Sequence, residues 1–193
     1  MKTKYFFILS TLLGSLSSGA ALAQQNTVKL GYAYVQPNSS ASNVTGPFTP
    51  TGISLEVRDA STPVFSYVRE INDRWDFEFC LGLPPSHDVN IKVNNPALPA
   101  SAQAMNDQVG ATVRQVSPTV FMNYKFLEKS STFRPFVGIG INYTKFDKAT
   151  STTANNTMNG GATSLSLKDS VGLALQAGLV YSLDKQWLSL IHI

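Results

Sequence analysis

Apolar side chains recur at every second residue along most of the chain from Asn26 onward, and this alternation limits the possible folds more than any other feature. A period of two places successive side chains on opposite faces of a β-strand, whereas an amphipathic helix needs a period near 3.6. The clearest run has apolar residues at Trp75, Phe77, Phe79, Leu81 and Leu83, separated by Asp76, Glu78, Cys80 and Gly82. The pattern predicts an all-β chain of antiparallel strands.

Six alternating segments are predicted as strands, and the connections between them are alternately long and short. The segments begin near Val28, Gly52, Trp75, Pro118, Phe133 and Leu173, and the second is interrupted at Pro63, where a bulge or an extramembrane portion is expected. The long connections are residues 37–51, 86–117 and 147–169; the short ones are residues 72–74, 128–132 and 184–186. Long loops at one end and tight turns at the other are typical of an up-and-down transmembrane β-barrel.

Alternation alone does not decide which face of each strand meets the surroundings. A soluble lipocalin-like barrel has the same period, with its apolar side chains inside. Here the polar face consists mainly of Gly, Ala, Ser, Thr and Asn with isolated charges, which suits a crowded lumen better than a water-exposed surface. The apolar face carries aromatic residues near strand ends, as membrane-interface girdles do, at Tyr34, Tyr67, Trp75, Tyr124, Phe126, Phe133, Tyr143 and Tyr181.

The first 23 residues have the pattern of a cleaved secretory signal. Lys2 and Lys4 precede an apolar stretch that is too short for a membrane-spanning helix, and Ala21 and Ala23 form a small-x-small cleavage site. The alternative is a retained N-terminal anchor. Cleavage after Ala23 lowers the formal charge from +3 to +1, so the mature chain carries no strong electrostatic signal for an acidic partner.

The last six residues, 188–193, read Leu-Ser-Leu-Ile-His-Ile, which is one translation of a transposon end used in sequencing libraries. We therefore interpret them as an assembly artefact, the alternative being a genuine short tail. The predicted organisation is a signal peptide at residues 1–23, an incomplete barrel at residues 24–187 and the artefact at residues 188–193. Bacterial barrels have an even number of strands, eight at least, so about two are expected to be missing after Trp187.

Composition excludes several functional classes. One Cys rules out an intramolecular disulfide, two His without suitably spaced carboxylates make no zinc site, and the weak charge gives no nucleic-acid footprint. Ser86, His87 and Asp88 have the residue types of a catalytic triad, but adjacency in sequence does not give triad geometry. No enzymatic activity, metal or cofactor is predicted.

Charged residues on the polar face are predicted to point into the lumen. One interpretation is that they form cross-strand ion pairs that fill a small barrel, and the other is that they line a selective passage. Cys80 also points inward, as a small filler. The candidate lumen-lining residues are Lys29, Glu56, Arg58, Asp76, Glu78, Cys80, Lys125 and Arg134.

The third predicted strand ends at Leu83, Pro84 and Pro85. Two adjacent prolines remove two backbone N–H donors from the pairing with the neighbouring strand. This loss either opens the wall of the barrel or simply ends the strand. If an apolar solute leaves the barrel sideways into lipid, this is the predicted exit.

Four collinear segments resemble the OmpW family of small outer-membrane barrels. They are residues 83–88, residues 116–120 (Val-Ser-Pro-Thr-Val, with Ser117 in place of a proline), residues 133–144 and residues 166–172. The resemblance covers roughly residues 26–187 in order and with similar spacing. It implies an eight-stranded barrel in the Gram-negative outer membrane with a narrow, partly hydrophobic lumen that passes small hydrophobic molecules.

The resemblance also implies partners: outer-membrane lipid, small hydrophobic solutes, the barrel-assembly machinery, and phage or bacteriocins that bind the external loops of some members. The seventh and eighth strands of the family, and the terminal aromatic that the assembly machinery reads, are not among the predicted strands. Three functional hypotheses stay open: a passive channel for small hydrophobic compounds, a non-transporting barrel whose loops bind a partner, and a soluble exported binder.

Long-read sequencing of the source DNA tests the interpretation of the C-terminal residues. The reading frame is expected to continue past Trp187 through about two more alternating strands to a terminal aromatic, because lipid-facing strands must close into an even-numbered barrel. A frame that stops after Ile193 would contradict this and would exclude a closed barrel built from the predicted strands alone.

Overall fold

The computed structural model describes residues 7–16, 26–37, 51–158, 161–183 and 188–192. Eleven strands and two short helices run along the described chain. The strands are β1 (Phe7–Leu16), β2 (Asn26–Gln36), β3 (Ile53–Val57), β4 (Ala60–Glu70), β5 (Trp75–Gly82), β6 (Ser86–Val93), β7 (Val109–Val116), β8 (Thr119–Lys125), β9 (Phe133–Ser151), β10 (Ser170–Ser182) and β11 (Leu188–His192). The helices are α1 (Ala100–Gln103) and α2 (Thr153–Met158). No helix of the described residues is long and apolar enough to cross a membrane.

Antiparallel pairings connect eight strands in a ring, in the order β1, β2, β4, β5, β8, β9, β10, β11 and back to β1. We call the end of the ring with the tight turns after β4 and β8 the turn end, and the opposite end the loop end. The turn after β4 is closed by Asn72, whose side-chain oxygen accepts hydrogen bonds from the backbone N–H groups of Arg74 and Trp75. This local bonding explains the predicted short connection at residues 72–74.

Apolar side chains cover the outside of the ring along β2, β4, β5, β8, β9 and β10. On β9, Val137, Ile139 and Ile141 are exposed, whereas the residues between them are buried. Leu173 and Leu175 continue the same belt on β10, where they are about four-fifths exposed. A continuous outward apolar belt on a ring of strands is the arrangement of a transmembrane barrel, which confirms the predicted fold class.

The six predicted strands correspond to β2, β4, β5, β8, β9 and β10, with one correction. The segment from Gly52 to Ile71 is two strands, because the chain bends at Arg58 and Asp59 between β3 and β4. The strand is not interrupted at Pro63, where the sequence predicted an interruption. Pro63 is an outward-facing residue within β4 and pairs with Tyr32 on β2.

Two of the predicted loops contain further strands. The segment 86–117 holds β6 and β7, which were missed because their alternation lacks aromatic residues, and β9 extends to Ser151 inside the predicted loop 147–169. With β3, these strands form a second sheet in the order β9, β7, β6, β3, which we call the outer sheet. It continues the ring beyond its loop end. The remaining predicted loop is residues 37–51, of which residues 38–50 lie outside the described residues.

Two strands of the ring, β1 and β11, lie in segments to which the sequence analysis assigned other roles. β1 lies within the predicted signal peptide and pairs with both β2 and β11. β11 lies within the predicted artefact and pairs with β10. These pairings describe the uncleaved chain, so cleavage after Ala23 and the interpretation of residues 188–193 stay predictions. Residues 17–25 and 184–187 lie outside the described residues.

N-terminal sequencing of the chain from isolated membranes distinguishes the two roles of residues 7–16. The mature chain is expected to begin at Gln24, and Ala23→Asp is expected to retain the leader because the cleavage site requires a small residue. A wild-type chain that begins before Phe7 would contradict cleavage and would keep β1 in the ring.

Candidate functional site: the barrel interior and a break in its wall

Five polar side chains meet inside the ring and form what we call the interior polar cluster. They come from β2, β5, β8 and β10, where each occupies an inward-facing position of its strand. Asp76, Glu78 and Asn123 are each 1% exposed. The members are Lys29, Asp76, Glu78, Asn123 and Gln176.

Hydrogen bonds join the members of the interior polar cluster across the ring. Asn123 donates from Nδ2 to Asp76 Oδ1 at 2.8 Å and to Glu78 Oε2 at 3.0 Å. Gln176 donates from Nε2 to Asn123 Oδ1 at 2.6 Å and to Glu78 Oε2 at 3.3 Å. Lys29 Nζ lies 3.0 Å from Glu78 Oε1. Asn123 bonds to side chains of the adjacent strand β5, whereas Gln176 and Lys29 reach Asn123 and Glu78 from strands that are not adjacent to theirs, so these contacts cross the lumen.

A second lysine extends this network towards the turn end. Lys125 Nζ lies 2.9 Å from Asp76 Oδ2 and 3.1 Å from Glu70 Oε1, and Lys129 Nζ lies 2.8 Å from Glu70 Oε2. The carboxylates of Glu70, Asp76 and Glu78 therefore each have a lysine partner. Burial of an unpaired charge is costly, so this pairing is a condition for placing charges in the interior.

Gly138 on β9 provides the space that Asn123 occupies. A Cβ atom added at Gly138 would lie 2.0 Å from Asn123 Oδ1 and 2.9 Å from Gln176 Cγ. Any side chain at this position must therefore displace the two amides that connect the cluster. Gly138 was not among the candidate lumen-lining residues; its place on the polar face of its predicted strand was the available signal, and the strand pairing sets it opposite Asn123.

The structure brings four of the candidate lumen-lining residues into this network: Lys29, Asp76, Glu78 and Lys125. Cys80 is partly buried and lies opposite Ser66 in the pairing of β4 and β5. Arg134 is 5% exposed and donates from Nη2 to the carbonyl oxygen of Asp73 at the turn end. Both lie apart from the five-residue cluster.

Glu56 and Arg58 are a correction to the predicted lumen lining. Glu56 belongs to β3, in the outer sheet, and Arg58 follows it, outside the ring. Their side chains are 39% and 52% exposed and pair with each other at 3.4 Å. The prediction was wrong because it counted alternation through the bend at residues 58–59 as if the strand were continuous.

A break in the hydrogen-bonded wall lies between β4 and the connection from β5 to β6. On the ring side, the ladder ends where Leu83 N–H donates to Pro63 O at 2.9 Å. On the outer-sheet side, it resumes where Arg58 N–H donates to Asp88 O at 2.8 Å. No strand pairing joins residues 59–62 to residues 84–87, all of which are described. The predicted exit at Leu83, Pro84 and Pro85 borders this break.

Prolines account for the ladder's interruption. Pro84 and Pro85 have no N–H to donate, and Pro63 cannot return the hydrogen bond that it accepts from Leu83. The hydroxyl of Thr62 donates to Leu83 O at 2.5 Å instead. Leu83 itself is 64% exposed on the outside of the wall. Side-chain hydrogen bonds thus replace backbone rungs at the break, here at its ring side.

His87 lies beside the break, and its neighbours in sequence face the other way. Its ring Nδ1 is 2.9 Å from Arg58 O, and Nε2 is 3.4 Å from Gln115 Nε2. Ser86 and Asp88 are exposed on the opposite face, where Asp88 accepts a hydrogen bond from Thr112. The three residues therefore do not form a triad. The described residues contain no group of His, Cys, Asp and Glu suited to holding a metal ion.

Exposed ion pairs connect the strands of the outer sheet. Lys92 Nζ lies 2.7 Å from Asp107 Oδ1 and 3.0 Å from Glu56 Oε2. Hydrogen bonds from Lys92 and Asn90 lower the pKa of Asp107, and the carboxylates of Asp107 and Glu56 raise the pKa of Lys92. These pairs connect β3, β6 and the turn before β7, so their role is to stabilise the outer sheet.

Comparison with known proteins adds a family match over most of the chain. The model of the OmpW family matches residues 24–193. Outer membrane protein W of Vibrio cholerae serotype O1 is 31% identical over 180 residues, which cover 91% of this chain and 76% of that protein. The proteins of the same name from Salmonella typhimurium and Escherichia coli K12 are each 29% identical, over 96% of this chain and 80% of theirs.

Solved structures are also similar to this chain, and one of them shows the extent of the likeness. It is the NMR solution structure of the Escherichia coli outer membrane protein W, with a TM-score of 0.43 and 22% sequence identity over 97% of this chain and 78% of that chain.

Gly138→Ala tests the packing of the interior polar cluster. The variant is expected to lower the free energy of unfolding by about 1–3 kcal/mol, because the added methyl group overlaps Asn123. Gly172→Ala is the matched control: nothing lies within 4 Å of its added Cβ, so a change within about 0.5 kcal/mol is expected. Urea unfolding in lipid vesicles measures both, and equal effects would contradict the assigned packing.

Proposed function

The chain belongs to the OmpW family of outer-membrane proteins, and from that premise we propose that it lets small hydrophobic molecules enter from outside and leave sideways into the membrane. It is a β-barrel of the Gram-negative outer membrane. The observation that carries the proposal is the break in the wall between residues 59–62 and 84–87. At this break a solute inside the mouth would be separated from lipid by side chains alone.

The inner face of the outer sheet supports an apolar entry. β9 runs through both sheets, so its inward face continues from the ring to Phe146, which lies opposite Gln115. On that same face of the neighbouring strands, Val89 and Ala111 lie opposite each other and are 6% and 8% exposed. Aliphatic side chains at the mouth favour an apolar solute over a hydrated one.

The interior polar cluster supports a sideways route rather than a straight one. Its amides and charges are joined across the ring at hydrogen-bond distance, and Lys125 extends them to the turn end. An apolar solute that passed this level would separate paired charges without offering them replacement hydrogen bonds. The break lies nearer to the mouth than the cluster does, so a solute reaches it first.

Uptake by whole Gram-negative cells tests the proposal, because their outer leaflet slows apolar solutes. The test strain lacks its own barrel of this family, and the measured quantity is the accumulation rate of a radiolabelled apolar aromatic compound. Pro84→Val combined with Pro85→Val restores two backbone donors at the break and is expected to lower the rate several-fold. Pro135→Val, an exposed proline at the turn end of β9, is the matched control and is expected to leave the rate unchanged.

Each outcome decides a different part of the proposal. An unchanged rate in the double proline variant, with equal amounts of barrel in the membrane, would exclude the sideways exit. Wild-type uptake no faster than that of cells without the barrel would exclude the channel and favour the alternative, a non-transporting barrel whose loops bind a partner. Faster uptake of a radiolabelled sugar as well would indicate a water-filled pore instead of an apolar route.

A further inference from the structure

Three cations stand together on the outside of the wall, just beyond the apolar belt at the loop end. They are Arg114 on β7 and Lys145 and Lys148 on β9, and we call them the cationic rim. Both lysines are exposed, and the side chain of Arg114 is 41% exposed. In the strand pairing, Arg114 lies opposite Lys148, and Lys145 lies opposite Val116, the next outward residue of β7. The rim therefore spans two successive outward rows of side chains.

The edge of the membrane can be located from the same strands. Outward residues on β9 are apolar from Phe133 to Tyr143, and the paired residues on β10 are apolar from Tyr181 to Val171. This span has the length of about 9–11 residues that a strand needs to cross a bilayer, and on β9 it has an aromatic residue at each end. Lys145 is the first outward residue of β9 beyond it, so its ammonium group lies at the level of the lipid headgroups.

Nearby acidic groups do not cancel the charge of the rim. Asp147 accepts hydrogen bonds from both Nε and Nη2 of Arg114, and Asp169 accepts one from the hydroxyl of Tyr143 at 2.6 Å. Among the described residues, no salt bridge within 4.0 Å pairs Lys145 or Lys148 with a carboxylate. Lys168, which is exposed beside Asp169, adds a further positive charge. Two exposed ammonium groups thus remain available to an anion, beside a guanidinium that Asp147 holds in place.

Among the described residues, the rest of the loop end has no comparable group of cations on its outer face. Near β2 and β4, the hydroxyl of Tyr34 donates to the carboxylate of Asp59, and Arg58 beside it pairs with Glu56. Within the described part of the loop end, the cluster of positive charge therefore lies in the sector of β7, β9 and β10.

We propose that the cationic rim is a binding site for the phosphate groups of an outer-leaflet lipid. Its occupant has acyl chains that cover the apolar belt of β9 and β10 and a phosphorylated headgroup that the rim contacts. Ammonium groups at the membrane surface attract anionic headgroups and donate charge-assisted hydrogen bonds to phosphate oxygens. Continuity between the belt and the rim favours a lipid over a free anion, since both parts of the lipid are bound at once.

Native mass spectrometry of the full chain in detergent micelles tests this proposal with two probes, bis-phosphorylated lipid A and the same lipid after enzymatic dephosphorylation. Lys145→Gln combined with Lys148→Gln is expected to weaken retention of the phosphorylated lipid roughly 30-fold, since each juxtamembrane cation contributes about fivefold. Retention of the dephosphorylated lipid is expected to be weak and equal in both proteins. Circular dichroism and a heat-shifted electrophoretic band verify that the variant is folded.

The matched control removes two exposed cations at the opposite end of the barrel, with Arg69→Gln and Arg74→Gln. This variant is expected to retain the phosphorylated lipid as well as the wild type does. Equal losses in the two double variants would overturn the proposal by showing general electrostatic attraction. Equal retention of both lipids would overturn it by showing that the phosphate groups do not contribute to binding. If inorganic phosphate at millimolar concentration displaced the lipid completely, the site would bind a free anion and the proposed lipid would be excluded.

Discussion

The structure depends on one constraint: a strand that borders hydrocarbon must pair its backbone N–H and C=O groups with neighbouring strands. The eight-strand ring satisfies this requirement along the apolar belt, from the turn end to the row of Tyr143. At the loop end the ring's strands give way to bends at residues 58–59, 83–85 and 117–118. The three bends lie in consecutive strands of the wall, so each transfers its strand from the ring to the outer sheet.

Inside the ring, the alternation that places leucine against lipid also places lysine, aspartate and glutamate in a narrow space. Lys29 and Glu78, whose side chains are 12% and 2% exposed, are tolerated because each is the other's partner and two amides satisfy the remaining carboxylate oxygen. A pair of this kind adds little net stability compared with apolar packing, but loss of one partner is costly. Its main effect is to fix which strands face each other across the lumen.

Much of this fold could be predicted from the sequence. Six strands, the turns after β4 and β8 and the apolar outer face all follow from a period of two, which each strand obeys on its own. The bend at Arg58 and the strands β6 and β7 could not be predicted in this way, because their short alternations are polar and their pairing partners lie far along the chain. Among the candidate site residues, parity placed Asp76, Glu78 and Lys125 on one face, where the structure joins them, but it could not find Gln176 and Gly138 as members of the same cluster.

β9 has a mechanical consequence for the molecule. It is 19 residues long and runs through both sheets as one strand with an irregularity at Asp147, whereas the chain leaves strand structure between β3 and β4, β5 and β6, and β7 and β8. The outer sheet is therefore joined to the ring by one continuous strand and three short bends. β3 is the edge of the outer sheet that lies farthest from β9, and it lies at the break in the wall. A small rotation of the outer sheet about β9 would therefore displace β3 the most.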